Sequence, residues 1–134
     1  MYKIKVEADF SSAHNLRGYK GRCEKLHGHN WKVQVTLTKQ NLDKVGMVLD
    51  FTYLKRELNK ILEKLDHKYL NNIVYFKKVH PVRSGAPRRG TSNGVNPTSE
   101  CIAKYIYDIL KTKIPSLTCV KVWESENCSA AYYE

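Results

Sequence analysis

The 134-residue chain is short of the features that mark several protein classes. No apolar run approaches the roughly 20 residues that a membrane-spanning helix needs. With only 7 Gly and 4 Pro it is neither collagen-like nor low-complexity. The four cysteines, Cys23, Cys101, Cys119 and Cys128, include no C-x-x-C pair and are too sparse for a disulfide scaffold, so free thiols are expected. The opening MYKIKVE alternates charge with apolarity and lacks the apolar block of a secretory signal, which makes the cytoplasm the expected location. Negative charge is also scarce. Against 23 Lys and Arg stand 13 Asp and Glu, a formal net charge of +10, and no acidic residue occurs between Leu70 and Ser99. Such a surplus points to an anionic partner: nucleic acid, a lipid surface or a phosphorylated small molecule.

What is present fits one globular domain over 1–134, long enough to bury roughly two-thirds of its unfolded surface without disulfide staples. Residues 2–10 alternate, with Tyr2, Ile4, Val6, Ala8 and Phe10 on one face and Lys3, Lys5, Glu7 and Asp9 on the other, predicting a strand. Residues 31–38 repeat the pattern, with Trp31, Val33, Val35 and Leu37 on the apolar face. The period then lengthens. Phe51, Leu54, Leu58, Ile61, Leu62 and Leu65 form a helical stripe behind Asp50, a candidate N-cap. A second helix follows Pro97, with Thr98 or Ser99 able to cap it, Glu100 at its positive end, and a stripe of Ile102, Ile106, Ile109 and Leu110. Strands near 119–125 and 128–133 are expected to pair through a turn at Glu126-Asn127. The order ββααββ gives an α+β fold with antiparallel strands. Residues 77–96, rich in Gly, Pro, Ser and Arg, read as an inserted basic loop.

Three histidines share the buried parity. His27 and His29 continue the odd-numbered face of the second strand backwards, and His14 continues the even-numbered face of the first strand forwards. Three neutral imidazoles suit Zn²⁺ and leave a fourth position open, the arrangement of a catalytic site. A set of hydrogen-bonded loop histidines is the alternative. Cys23, among basic residues, is open to three roles: a fourth ligand that closes a structural site, a nucleophile or base whose thiolate Arg22, Lys25 and the cation favour, or an inert thiol. His67 beside Asp66 is either a polarised base or a cation at a helix end. Glu124 shares a face with Val120 and Val122, where a carboxylate needs a donor such as the N–H edge of a guanine-like ring; alternatively Trp123 faces inward and Glu124 is solvated.

Together the stretches FSSAHNL (10–16), CEKLHGHNWKVQV (23–35), VLDFTYLK (48–55), LDHKYLN (65–71), NPTSE (96–100) and VWESENCSAAYY (122–133) resemble the 6-pyruvoyltetrahydropterin synthase family, in particular its 6-carboxytetrahydropterin synthase branch. The resemblance implies a tunnelling fold (T-fold) whose strands assemble into an oligomeric β-barrel, as a homohexamer of two trimers with active sites at subunit interfaces. It implies His14, His27 and His29 as ligands of Zn²⁺, Cys23 as the catalytic thiol, and Asp66 with His67 as a second proton relay. It implies Glu124 as the carboxylate that anchors the pterin and shares in the relay, and Thr98 and Glu100 as further substrate-binding residues. The implied substrate is 7,8-dihydroneopterin triphosphate. The carboxy branch converts it to 6-carboxy-5,6,7,8-tetrahydropterin with loss of triphosphate and acetaldehyde, a lyase reaction on the way to queuosine and other 7-deazapurines. The C-x-x-x-H-G-H spacing looks like this branch; the pyruvoyl branch tends to be longer there. Residues 77–96 depart from the compact family pattern, and read as a solvated loop or as a flap whose arginines hold the triphosphate. On this reading a small phosphorylated substrate accounts for the charge, and neither nucleic acid nor membrane is an expected partner. A rival from another class is a basic nucleic-acid-binding module built round a structural His₃Cys zinc, although Tyr2, Phe10 and Trp31 have core parity and form no exposed stacking row.

Overall fold

Alternation at the start of the chain produces β1 (Tyr2–His14), which runs past the expected end at Phe10 because Ser12 and His14 keep the buried parity while being polar. It pairs antiparallel with β2 (His27–Lys39), which likewise begins earlier than its apolar run. The computed structural model describes residues 1–77 and 95–134. Most of the basic stretch 77–96 therefore lies outside the described residues.

The sheet has four antiparallel strands in the order β1-β2-β3-β4, with β3 at Leu117–Trp123 and β4 at Ser129–Tyr133. Helix α1 (Phe51–Leu65) packs against β1, and the later long helix against β3 and β4. Between them the chain makes a 3₁₀ turn at Leu70–Asn72 and a one-turn helix, α2 (Val74–Lys77), neither of which the period announces because each is shorter than a full amphipathic repeat. The long helix after it is α3 (Ser99–Lys111). Asp50 caps α1 by accepting from Thr52 N at 2.7 Å, and Thr98, rather than Ser99, caps α3 by accepting from Cys101 N at 3.2 Å.

The core lies between the helices and one sheet face. Trp31, Val33, Val35 and Leu37 are fully buried there with Val120 and Val122, as the odd–even alternation requires. Burying each aliphatic side chain contributes roughly 1.5–3 kcal/mol. Tyr2 has the buried parity but is exposed, since it sits opposite Lys39 at the outer end of the strand pair. One helix position departs from the stripe: Glu57 is buried among Leu54, Leu58 and Ile61. Its carboxylate meets Lys113 Nζ at 2.8 Å and Lys60 Nζ at 3.0 Å. The hydrogen bond from Lys113, then that from Lys60, holds its pKa down at about 2.

Candidate metal centre

The antiparallel register sets Phe10 opposite Trp31, Ser12 opposite His29 and His14 opposite His27. Three imidazoles thereby meet at one end of the β1–β2 pair, with ring centroids 4.6–5.1 Å apart. Trp31 forms their floor. It stacks on Phe10, lies edge-on to His14 and His29, and donates from Nε1 to the Ser12 carbonyl at 3.2 Å. His14 is the most buried of the three, at 1% exposure.

Two of the rings are oriented by backbone carbonyls. His14 Nδ1 lies 2.8 Å from Pro97 O and His27 Nδ1 lies 2.7 Å from Lys25 O. A carbonyl only accepts, so both Nδ1 atoms carry the proton and, in neutral rings, both Nε2 atoms present lone pairs. Those two Nε2 atoms lie 3.0 Å apart. Two acceptors held face to face repel each other unless a cation sits between them. Burial pushes both His14 and His29 below the ordinary imidazole pKa, against the smaller opposing pull of Glu124, and this favours the neutral form that ligates metals.

Glu124 closes the cluster. Its Oε1 is 2.8 Å from His29 Nε2 and 3.8 Å from His14 Nε2. The pairing of Lys32 with Trp123 carries it to the level of Trp31 and His29, on the same face as Val122. One ligand atom from each of His14, His27, His29 and Glu124 lies within 4.8 Å of all the others, so these residues could hold a metal ion. Among the described residues, His29 Nε2 is buried without a hydrogen-bond partner in acceptable geometry, despite the short approach of Glu124. Facing lone pairs, neutral rings and an orphaned buried nitrogen are the chemistry of a cation site.

A model of the family described as 6-pyruvoyl tetrahydropterin synthase matches residues 3–134. The chain belongs to this family. It is 31% identical to the 6-carboxy-5,6,7,8-tetrahydropterin synthase of Haemophilus influenzae, the match covering 100% of both chains. It is 32% identical to the protein of the same name from Synechocystis, over 99% of this chain and 94% of that one. Among solved structures, the 6-pyruvoyl tetrahydropterin synthase of Caenorhabditis elegans superposes with a TM-score of 0.80 at 26% identity, covering 99% of this chain and 95% of that one. The four-stranded antiparallel sheet with its helices is thus the T-fold of the family.

Not every singled-out residue joins the histidine cluster. Cys23 is half-buried in a 3₁₀ turn (Arg22–Glu24) between β1 and β2, outside the four-residue group, whose fourth member is Glu124. Asp66 ends α1, and its carboxylate accepts from Ser11 N at 2.8 Å and approaches His67 Nδ1 at 2.9 Å, a direct contact between adjacent residues. The Ser11 N–H, then His67, holds the Asp66 pKa below the ordinary carboxylate range. His67 has φ +52°, a left-handed conformation, and its ring is 82% exposed in the single chain. The Thr98 hydroxyl serves the α3 cap, and Glu100 is exposed on the first turn.

The sequence reading missed a pair of asparagine clamps. Asn71 accepts from Asn15 N at 3.0 Å and donates to Asn15 O at 2.8 Å; Asn96 does the same with Arg17, at 2.8 and 2.9 Å. Each side-chain amide imitates a strand neighbour for the segment that leaves His14, and Asn96 stands next to Pro97, whose carbonyl orients the His14 ring. Both asparagines lie in the quoted stretches LDHKYLN and NPTSE, but nothing local distinguishes them from loop polarity.

Proposed function

We propose that this chain is a zinc-dependent 6-carboxy-5,6,7,8-tetrahydropterin synthase, a lyase acting on 7,8-dihydroneopterin triphosphate with release of triphosphate and acetaldehyde, in a route to queuosine and other 7-deazapurines. The observation that carries this reading is the convergence of His14, His27 and His29, two of them with carbonyl-oriented rings and facing Nε2 lone pairs, in a chain whose curated relatives bear that name. When bound there, Zn²⁺ would act as a Lewis acid that polarises the hydroxyls of the substrate side chain. Cys23 takes a proton from that side chain and returns it, and His67, oriented by the Asp66 carboxylate, moves the second proton. Glu124 holds the N–H edge of the pterin. It lines a cleft of about 500 Å³ with Asn30, Lys32, Trp123, Ser125 and Glu126, a size suited to a small molecule. Thr98 and Glu100 contribute from the start of α3, beside Pro97. The exposed His67 ring suits a site finished by a second copy, in a homohexamer whose sheets close a barrel.

A second reading, 6-pyruvoyl tetrahydropterin synthesis from the same substrate, draws on the likeness to the Caenorhabditis elegans enzyme. Incubation with dihydroneopterin triphosphate separates the two. The carboxy activity releases acetaldehyde stoichiometrically with triphosphate; a product that keeps all three side-chain carbons would replace the first reading by the second.

A further inference from the structure

We infer that Glu124 is an exchangeable fourth ligand, whose carboxylate closes the coordination of the cation in the substrate-free protein and leaves it when the N–H edge of a bound ring competes for the same oxygens. The inference rests on the zinc reading above, and extends it by giving one side chain two alternating partners.

The geometry is that of a ligand. Four donors placed tetrahedrally about 2.0–2.1 Å from a zinc ion are about 3.3 Å from one another. The separations of 2.8 Å from His29 to Glu124, 3.0 Å from His14 to His27 and 3.8 Å from His14 to Glu124 bracket that value. The shortest of them sets Glu124 Oε1 against the buried His29 Nε2. A carboxylate oxygen is also a chemically ordinary companion for three imidazoles on zinc.

The surroundings allow the carboxylate to change partners. The backbone of Glu124 is anchored just beyond β3 by its N–H to Cys128 O at 3.1 Å, while its side chain is 29% exposed and borders the cleft it shares with Asn30, Lys32 and Trp123. One side of the carboxyl thus faces the imidazoles and the other faces open space. A single negative charge cannot serve a dication and a pair of ring N–H donors at full strength. Ring and cation therefore compete for Glu124, and by linkage each weakens the other's hold on it. The fourth position opens only when a ring is seated, so that cation and side chain meet in register.

The test replaces zinc with Co²⁺, whose visible absorption reports coordination number, and uses unsubstituted pterin as a probe that has the ring but no side-chain hydroxyls. The wild-type cobalt protein should show a four-coordinate spectrum that changes as pterin saturates the site, with binding followed by pterin fluorescence. Glu124→Gln and Glu124→Ala should lose at least about tenfold in zinc affinity, measured by competition with a chromophoric chelator, and their cobalt spectra should no longer respond to pterin. The near-isosteric glutamine variant decides if the alanine variant fails to fold, with metal-free melting curves as the control. Unchanged zinc affinity and unchanged cobalt spectra in both variants would overturn the inference and leave the zinc reading standing. A wild-type spectrum indifferent to pterin, or no pterin binding, would overturn the exchange. A wild-type protein that takes up no stoichiometric metal would overturn both.

Discussion

Two buried polar clusters sit in this chain in opposite electrostatic condition. On the helical side, Glu57 is enclosed by apolar neighbours, and its charge is answered by Lys113 and Lys60. At the end of the β1–β2 pair, His14 and His27 turn acceptors toward each other, His29 Nε2 is orphaned, and the Glu124 carboxylate stands among them. The first cluster is complete in the chain itself, so its role is structural. The second is a group of donors that could hold a metal ion. A buried charge that is already paired makes no demand for a further partner, whereas buried acceptors that are aligned but unpaired point to a ligand.

The largest effect expected from breaking this contrast is at the histidines. His27→Ala should abolish stoichiometric metal binding and with it turnover, and the chelator-induced drop in Tm expected of the wild type should vanish, because stabilisation by a bound ion disappears with its site; metal analysis and paired melting curves check this. Cys23→Ala should keep the metal, since the thiol lies outside the cluster, and lower kcat by about 10²–10⁴-fold, the usual worth of a positioned proton-transfer group; metal loss in this variant would instead make the thiol a ligand. Asn96→Ala leaves the N–H and C=O of Arg17 without their partner and should lower stability by about 1–3 kcal/mol, with zinc affinity falling as the neighbouring Pro97 carbonyl loses its place; denaturant titration and chelator competition measure the two.

The smallest effect should come from the complete cluster, as a change of pH profile. The folded pKa of Glu57, about 2, lies below the ordinary glutamate value of 4.5. A depressed carboxylate pKa stabilises the fold above the unfolded value, and that stabilisation is lost as pH falls from about 4.5 through about 2. Glu57→Gln should therefore flatten the acid limb of stability over that window and leave metal content unchanged, as followed by denaturant midpoints at stepped pH.

Much of this was legible in order along the chain. The odd face of β2, the stripes of α1 and α3, and the caps at Asp50 and Thr98 follow from periods of 2 and 3.6 and from short polar side chains ahead of apolar runs. The convergence of His14, His27 and His29 also follows from parity, because a hairpin face carries its alternation to both ends. Other features were not legible. Glu57 looks like any helix-surface acid until Lys113, 56 residues later, is folded against it. Asn71 and Asn96 look like loop residues until the segment after His14 is laid beside them.

The sequence by itself determined which residues share a face, and hence that three imidazoles point into one end of the sheet, since side-chain direction along a strand is a local property. Only the tertiary structure decided what stands beside them. Bringing Glu124 to 2.8 Å from His29, with Cys23 outside the group, depends on the pairing of β2 with β3 at Lys32 and Trp123, a long-range contact set by packing of the whole core rather than by any local period. The +10 charge is likewise a sum that composition fixes, while the placement of a few carboxylates, at Glu57, Asp66 and Glu124, decides which cations and imidazoles they meet.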